Sequence, residues 1–350
     1  MKTKIEINRN KIDKIDRAVV ELLSERKRLT EELILEKRAL RLPVEDNERE
    51  NVIISRLQDL SKDKLAPEFV MDIYSAIFKN SKQGFVEPIF KINDIFNEIR
   101  QKRIIISGPC AVESKEQIRG IANQLSDIGI KYLRGGSYKP RTNPDSFQGL
   151  GEPGLAYLKQ AADEYGMFSV SELTAIYQLE KGFDKVDIIQ IGSRNAMNFE
   201  LLKAVGRYTA AEQKPIILKR GFWATVNEFL SAAEYIRAAG NKSVILCLRG
   251  IRTFEQIDSQ MRFTPDLGAI LEIKEKSDLP VIFDPSHSGG AARYVTALSR
   301  AALDLGADGL IVESHIHPEC ALSDAKQCLK PEDLKEIVQY AKLLDEAKKK

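Results

Sequence analysis

The segment RIIISGPCAVES at residues 103–114 passes from an unbroken β-branched run into a turn of small and polar residues. The layout recurs in IKYLR (130–134), FSVSE (168–172), DIIQIG (187–192), PIILKRG (215–221), VILCLRG (244–250), PVIFDPS (280–286) and GLIVES (309–314), each followed by a stretch able to form a helix. Continuous Val/Ile/Leu runs of this length suit parallel strands buried on both faces. Eight such βα units in about 245 residues predict a (β/α)8 TIM barrel, an α/β fold. An open doubly wound sheet is the alternative. Against it, no GxGxxG follows the first run, and polar residues follow all eight.

In a barrel the chemistry collects at the C-terminal ends of the strands, and two sets of residues stand there. The first is cationic: Arg134, Lys139 and Arg141 after the second run, Arg194 after the fourth, Lys219 at the end of the fifth and Arg249 at the end of the sixth. Converging on one partly desolvated mouth, they would repel one another, so they imply an anionic ligand with more than one phosphate. Glu172 closes the third run. The second set is Cys110, His287, Glu313 and Asp324, a thiolate, an imidazole and two carboxylates. That mixture of soft and hard donors suits a divalent Mn, Fe, Co or Zn ion rather than Mg or Ca. His315 and His317 compete with His287 for the imidazole position. A buried core thiol is the alternative for Cys110 and the assignment for Cys247 and Cys328.

Working outward, glycine marks a boundary: all 21 glycines lie at or after Gly84. The Gly-free front, broken only at Pro43 and Pro67, predicts three helices: Ile5 to Leu40, Asn47 to Leu60, and one beginning at Pro67. Ile12, Ile15, Val19, Leu22 and Leu23 form one stripe on the first. A helix of that length, ~50 Å, overhangs any core so small a domain can build, so a second chain is expected to cover it. The expected divisions are a helical domain over 1–86, a linker over 87–102 and the barrel over 103–350. With 43% apolar and 30% charged residues the chain supports a sizeable core, and a formal charge of +2 argues against a general nucleic-acid binder. Four cysteines without a CxxC pair exclude a disulfide scaffold or zinc knuckle. With no membrane-length apolar run and no signal-like N-terminus, a cytoplasmic chain is expected.

The motifs GPCAVES, LRGGSYKPRTNPDSFQG, IQIGSRN, LLKAVG, ILKRG, LCLRGIRTFE, DPSHSGG and ALSD resemble, in order, those of 3-deoxy-D-arabino-heptulosonate 7-phosphate (DAHP) synthases of the compact-barrel branch. The neighbouring octulosonate 8-phosphate synthases carry a KANRS-type loop where this chain has Lys139-Pro140-Arg141-Thr142. The resemblance implies condensation of phosphoenolpyruvate with erythrose 4-phosphate and release of phosphate, the entry to the shikimate pathway of aromatic amino acid biosynthesis. It implies that Cys110, His287, Glu313 and Asp324 hold the metal. Arg134, Lys139, Glu172, Arg194, Lys219 and Arg249 line the phosphoenolpyruvate site, and Arg141 with Thr142 grips the aldose phosphate. Lys139, Cys110 and His287 are then the catalytic residues, with Lys139 as donor to the new alkoxide. Action on a different aldose phosphate, as in the octulosonate enzymes, is the alternative.

Residues 1–86 resemble the all-helical chorismate mutases, through Arg9, Arg26, Lys37, Asp46, Arg49, Glu50 and Ser81. Arg26 and Lys37 stand ~16 Å apart along nearly one helix face, within reach of a shared dicarboxylate. Arg9 lies ~26 Å from Arg26 on another face and would serve a partner's pocket, which implies a homodimer with shared sites. A self-associating barrel would extend it to a tetramer. Where the family places Gln or Glu one turn after Ser81, this chain has Phe85, and its nearest amide is Gln83. The resemblance therefore implies either a chorismate mutase or a module that binds chorismate or prephenate for feedback inhibition of the barrel.

Overall fold

The computed structural model describes residues 4–39, 47–62, 64–83, 92–139, 143, 145–254, 261 and 263–348. The chain divides into two compact units, Met1–Ile89 and Phe90–Lys350. The first holds α1 (Lys4–Ala39), α2 (Asn47–Leu60) and α3 (Pro67–Gln83). α3 begins with Pro67, which lacks the N–H that a first turn leaves unbonded.

The second unit opens with α4 (Ile92–Gln101) and continues as a regular alternation. β1 (Ile104–Gly108) leads to α5 (Lys115–Asp127), β2 (Tyr132–Arg134) to α6 (Glu152–Glu164), β3 (Phe168–Glu172) to α7 (Ile176–Gly182) and β4 (Ile188–Ile191) to α8 (Phe199–Thr209). β5 (Ile216–Lys219) leads to α9 (Val226–Ala238) and β6 (Val244–Leu248) to α10 (Gly268–Lys276). β7 (Val281–Phe283) is followed by α11 (Pro285–Gly289) and α12 (Ala292–Asp304), and β8 (Gly309–Glu313) by α13 (Leu334–Ala347). The strands pair in sequence order, all parallel, and β8 closes on β1. The fold is the (β/α)8 barrel that the eight apolar runs predict.

Two-residue periodicity sorts each strand between two apolar layers. Ile105, Leu133, Ile189, Leu218, Leu246 and Val312 face the helices. Ile104, Ile106, Val170, Ile188, Ile217, Ile245, Cys247 and Ile311 fill the interior. The segment expected only to join the halves contains α4, whose Ile95 and Ile99 belong to that interior cluster. Between them Glu98, 8% exposed, accepts a hydrogen bond from the Tyr132 hydroxyl at 2.6 Å and pairs with Lys102. Burial alone would push its carboxyl up. Lys102 and Tyr132 outweigh that and hold it below the usual 4.5.

The seventh run, read as extending to Ser286, stops at Phe283. Asp284 accepts from the His287 backbone N–H and Pro285 takes the first helical position, so a helix starts there. That early start turns His287 back over the barrel mouth.

Candidate active site

The loop after β1 carries Cys110, and two close backbone approaches make room for it. A Cβ on Gly108 would lie 2.0 Å from the Arg134 carbonyl oxygen, and one on Gly136 would lie 2.6 Å from that of Cys110. Only glycine permits these contacts. They bring the β2 loop onto the β1 loop, and Lys139 Nζ donates to Cys110 O at 3.0 Å and Sγ at 2.9 Å.

Across the mouth, ligand atoms of Cys110, Glu313 and Asp324 lie within 4.8 Å of one another. The thiol donates to Asp324 Oδ2 at 3.1 Å. Asp324 sits at φ 51°, a left-handed conformation that Asp tolerates better than most residues. His287 presents Nδ1 to Asp284 Oδ2 at 2.8 Å, so Nε2 faces the cluster, 3.5 Å from Glu313 Oε1 and 3.9 Å from Asp324 Oδ2. Of the competing histidines, His315 accepts the His317 backbone N–H at Nδ1, and His317 is exposed. Neither belongs to the cluster.

Burial and the Glu313 carboxylate push the Cys110 thiol up to about 12. Glu313, fully buried, is held below its usual range: burial would raise it, but His287 and Arg134 outweigh that. The thiol and two carboxylates, with the His287 imidazole beside Glu313, form a donor set able to hold a divalent cation.

The predicted cations divide by environment. Arg134, Lys219 and Arg249 are each 5% exposed. Arg134 pairs with Glu313 at 2.9 Å and Lys219 with Asp284 at 2.5 Å. The Arg249 guanidinium lies 4.0 Å from the centroid of the Phe263 ring and 4.7 Å from that of Phe222. Arg194 is exposed, 5.8 Å from the Phe222 centroid. Glu172 and Gln190 hydrogen-bond at 3.1 Å and line a cleft with Arg134 and Lys139. Arg141 and Thr142 lie outside the described residues.

Three residues at the site carried no role in the sequence reading. Gln327 Nε2 donates to Glu313 Oε2 at 2.5 Å, and Ser286 Oγ accepts the Glu313 backbone N–H at 2.9 Å. Asp284 bridges His287 and Lys219. No local pattern marks the first two; for Asp284 the signal was its place as cap of a helix that begins with proline. Cys247 is a core thiol inside the barrel, pushed up to about 12 by burial. Cys328, also read as core, is buried but stands at the site's edge, where Glu313 and Cys110 add to burial in raising its thiol.

In the helical unit Arg26 is half-buried, its guanidinium 5.4 Å from the centroid of the Phe78 ring of α3. Arg9 and Arg49 are exposed. Lys37, Glu50, Ser81 and Gln83 lie on α1, α2 and α3, while Asp46 and Phe85 fall outside the described residues. Along α1, Ile12, Ile15, Val19, Leu22 and Leu23 are 42–67% exposed.

Fold and site together define a (β/α)8-barrel enzyme whose mouth sets a buried thiol–carboxylate cluster beside buried cations. The profile of the DAHP synthetase I family matches residues 82–350, and that of chorismate mutase type II matches residues 8–84. A phospho-2-dehydro-3-deoxyheptonate aldolase of Thermotoga maritima is 54% identical over 243 residues, covering 69% of this chain and 70% of that protein. The crystal structure of the Thermotoga maritima DAHP synthase superposes with a TM-score of 0.66 at 53% identity, covering 71% of this chain and 70% of that one. A 2-dehydro-3-deoxyphosphooctonate aldolase of Geobacter sulfurreducens is 28% identical over 261 residues, covering 69% of this chain and 92% of that protein. The chain belongs to the DAHP synthetase I family of enzymes and carries a chorismate mutase type II domain at its front.

Proposed function

We propose that the barrel condenses phosphoenolpyruvate with erythrose 4-phosphate to give 3-deoxy-D-arabino-heptulosonate 7-phosphate and phosphate. The observation that carries this reading is the contact between two unlike sets of groups: Arg134 on Glu313 and Lys139 on Cys110 join the buried cations to the thiol–carboxylate cluster. Cys110, His287, Glu313 and Asp324 would hold a Mn, Fe, Co or Zn ion, which supplies Lewis acidity toward the aldehyde oxygen when bound. Arg134, Lys219, Arg249 and Arg194 bind the phosphate and carboxylate of phosphoenolpyruvate, with Glu172 at the edge of the same cleft. Arg141 and Thr142 hold the aldose phosphate. The C3 carbon of phosphoenolpyruvate bonds to the aldehyde carbon as Lys139 gives its proton to the oxygen. Water adds at C2 and returns a proton to Lys139, and the C2–O bond then breaks, phosphate leaving with the remaining hydroxyl proton as the C2 carbonyl forms.

Erythrose 4-phosphate is favoured over arabinose 5-phosphate by the Lys139-Pro140-Arg141-Thr142 loop and by the higher identity to the heptonate aldolase. Phosphate release by the full chain tests this, with each aldose in turn and with and without chelator. Erythrose 4-phosphate should support turnover that chelator abolishes, whereas a preference for arabinose 5-phosphate, or turnover indifferent to chelator, would overturn the assignment.

For the front domain we infer binding of chorismate or prephenate by Arg9, Arg26, Lys37, Asp46, Arg49, Glu50 and Ser81, with Gln83 the nearest amide in sequence to the Phe85 position. The apolar stripe exposed on α1 is covered by a second copy of the chain, giving a dimer; a tetramer follows if the barrel also self-associates. Phe85 at the amide position favours a second reading, a regulatory module without mutase activity that imposes feedback inhibition. Chorismate consumption by the full chain, beside prephenate inhibition of phosphate release, separates the two. Four free cysteines and a cluster that needs a reduced thiol suit the cytoplasm.

A further inference from the structure

Asp284 is fully buried and takes no part in the reaction proposed above, yet it touches both halves of the mouth. Its Oδ1 accepts the backbone N–H of His287 at 3.0 Å. Its Oδ2 accepts from His287 Nδ1 at 2.8 Å and also from Lys219 Nζ at 2.5 Å. One oxygen atom thus serves an imidazole aimed at the donor cluster and an ammonium assigned to the phosphoenolpyruvate subsite. We infer that Asp284 is a positioning residue that couples the two subsites, so that a divalent cation and phosphoenolpyruvate each tighten the binding of the other. The inference rests on the function proposed above.

The cap bond from His287 N pins the carboxylate, so Oδ2 cannot follow one partner without lengthening its bond to the other. A cation on Nε2 makes the opposite ring N–H a stronger donor, as in other carboxylate–histidine–metal arrangements. The imidazole then takes a larger share of Oδ2, and the Lys219 ammonium turns more of its charge toward an incoming phosphate. In reverse, an anion that engages Lys219 releases Oδ2 to the imidazole and strengthens its hold on the cation. Linkage requires the two effects to be equal in size. Glu313 and Arg134 form a second contact between the halves, on the far side of the cluster. That pair keeps both its members when Asp284 is changed, so part of the coupling remains in the variant.

The test uses the full-length chain and Asp284→Asn, which keeps the shape and the cap acceptor but removes the charge. Calorimetric titrations give the Mn2+ dissociation constant with and without saturating phosphoenolpyruvate, and the phosphoenolpyruvate constant with and without Mn2+. In the wild type each ligand should tighten the other by about 5- to 150-fold, the ordinary range of such coupling. In D284N the coupling factor should fall by at least half on a logarithmic scale, and Mn2+ alone should bind about 10- to 100-fold more weakly. A residue that merely supported the fold would weaken both ligands and leave their coupling intact. Wild-type constants indifferent to the second ligand overturn the inference, and that arm does not depend on the variant folding. So does a D284N coupling factor equal to the wild type's, with the function proposed above still standing. Failure of phosphoenolpyruvate to bind the metal-loaded wild type would instead overturn that function and the inference with it.

Discussion

Replacing Lys139 by Met keeps the aliphatic stem and removes an ammonium that touches both the thiol and the carbonyl of Cys110. Two losses follow, and they differ in size. The first is a hydrogen bond from a charged donor to a backbone oxygen, worth about 1.5–3 kcal/mol to local order. The second is the proton donor for the new alkoxide, worth about 10²- to 10⁴-fold in rate, or ~2.7–5.5 kcal/mol of barrier. Lys139 also pulls the Cys110 thiol downward against burial and Glu313. Its loss therefore leaves the thiol harder to ionise and weakens cation binding, but all four donors remain. The expected pattern is a kcat lower by about a thousandfold at saturating Mn2+ and both substrates, with stoichiometric Mn2+ uptake retained. Loss of phosphoenolpyruvate absorbance gives kcat, and calorimetry gives the metal stoichiometry. A kcat within about threefold of the wild type would refute proton donation by Lys139. Loss of activity only through lost metal would refute it as well, because Lys139 would then act on Cys110 alone.

Cys110→Ser exchanges the one soft donor of the cluster for a hydroxyl that does not ionise at neutral pH; zinc affinity should fall by about a hundredfold, ~2.7 kcal/mol, and unchanged zinc content after dialysis would remove Cys110 from the ligand set. Glu98→Gln should cost about 1–3 kcal/mol at neutral pH by leaving Lys102 and Tyr132 with a weaker acceptor. Because Glu98 is held below 4.5, its contribution is complete above that pH and is lost as acid protonates it. The difference in thermal midpoint between variant and wild type should therefore shrink from about pH 7 to about pH 3.5, and an equal difference at both would contradict the assignment. On α1, Ile15 and Leu22 lie seven residues apart on one face and are 62% and 67% exposed. The double change Ile15→Glu and Leu22→Glu removes about 2 kcal/mol per side chain, twice over by symmetry, so the dimer should weaken by more than about four decades. Sedimentation velocity reads this directly, and a variant that stays dimeric, or a monomeric wild type, would refute the interface.

The barrel could be read from the chain because each strand is a contiguous run whose composition reports burial on both faces. Its edges were less readable: PVIFDPS looks like one strand, but a capping Asp followed by Pro starts a helix inside it, and the apolar pattern is silent about that competition. α4 was missed for a related reason. Ile95 and Ile99 are two apolar residues in an otherwise polar segment, too few to announce burial until a barrel interior exists to receive them. At the candidate site, residue type and place at a strand end singled out Cys110, Glu313, Asp324, Arg134, Lys219 and Arg249, of which the fold brings Cys110, Glu313 and Asp324 within reach of one another. The choice among three histidines was not settled by type or spacing. It turned on which side chain a buried carboxylate holds by Nδ1, a contact between Asp284 and His287 that only the turn into α11 creates. Gln327 and Ser286 act on Glu313 through single hydrogen bonds, and a polar residue that makes one such bond looks the same in sequence as one that makes none.

The order of strands around the closed barrel explains why so many buried charges coexist in one mouth. Cys110 comes from β1, His287 follows β7, and Glu313 and Asp324 end or follow β8, so the donors occupy the contiguous arc β7–β8–β1. Arg134 and Lys139 follow from β2, and Lys219 and Arg249 from β5 and β6, which flank that arc on its two sides. Opposite charges therefore meet at two seams, Arg134 on Glu313 with Lys139 on Cys110 at one, and Lys219 on Asp284 at the other. A buried carboxylate is strongly destabilising when its partner is lost, so each seam restricts the substitutions that the other half will tolerate. Arg194 and Arg249 differ from the rest in lying against the Phe222 ring, whose face attracts a guanidinium. The mouth thus combines Arg134 and Lys219, held by buried carboxylates, with Arg194 and Arg249, which lie against an aromatic face.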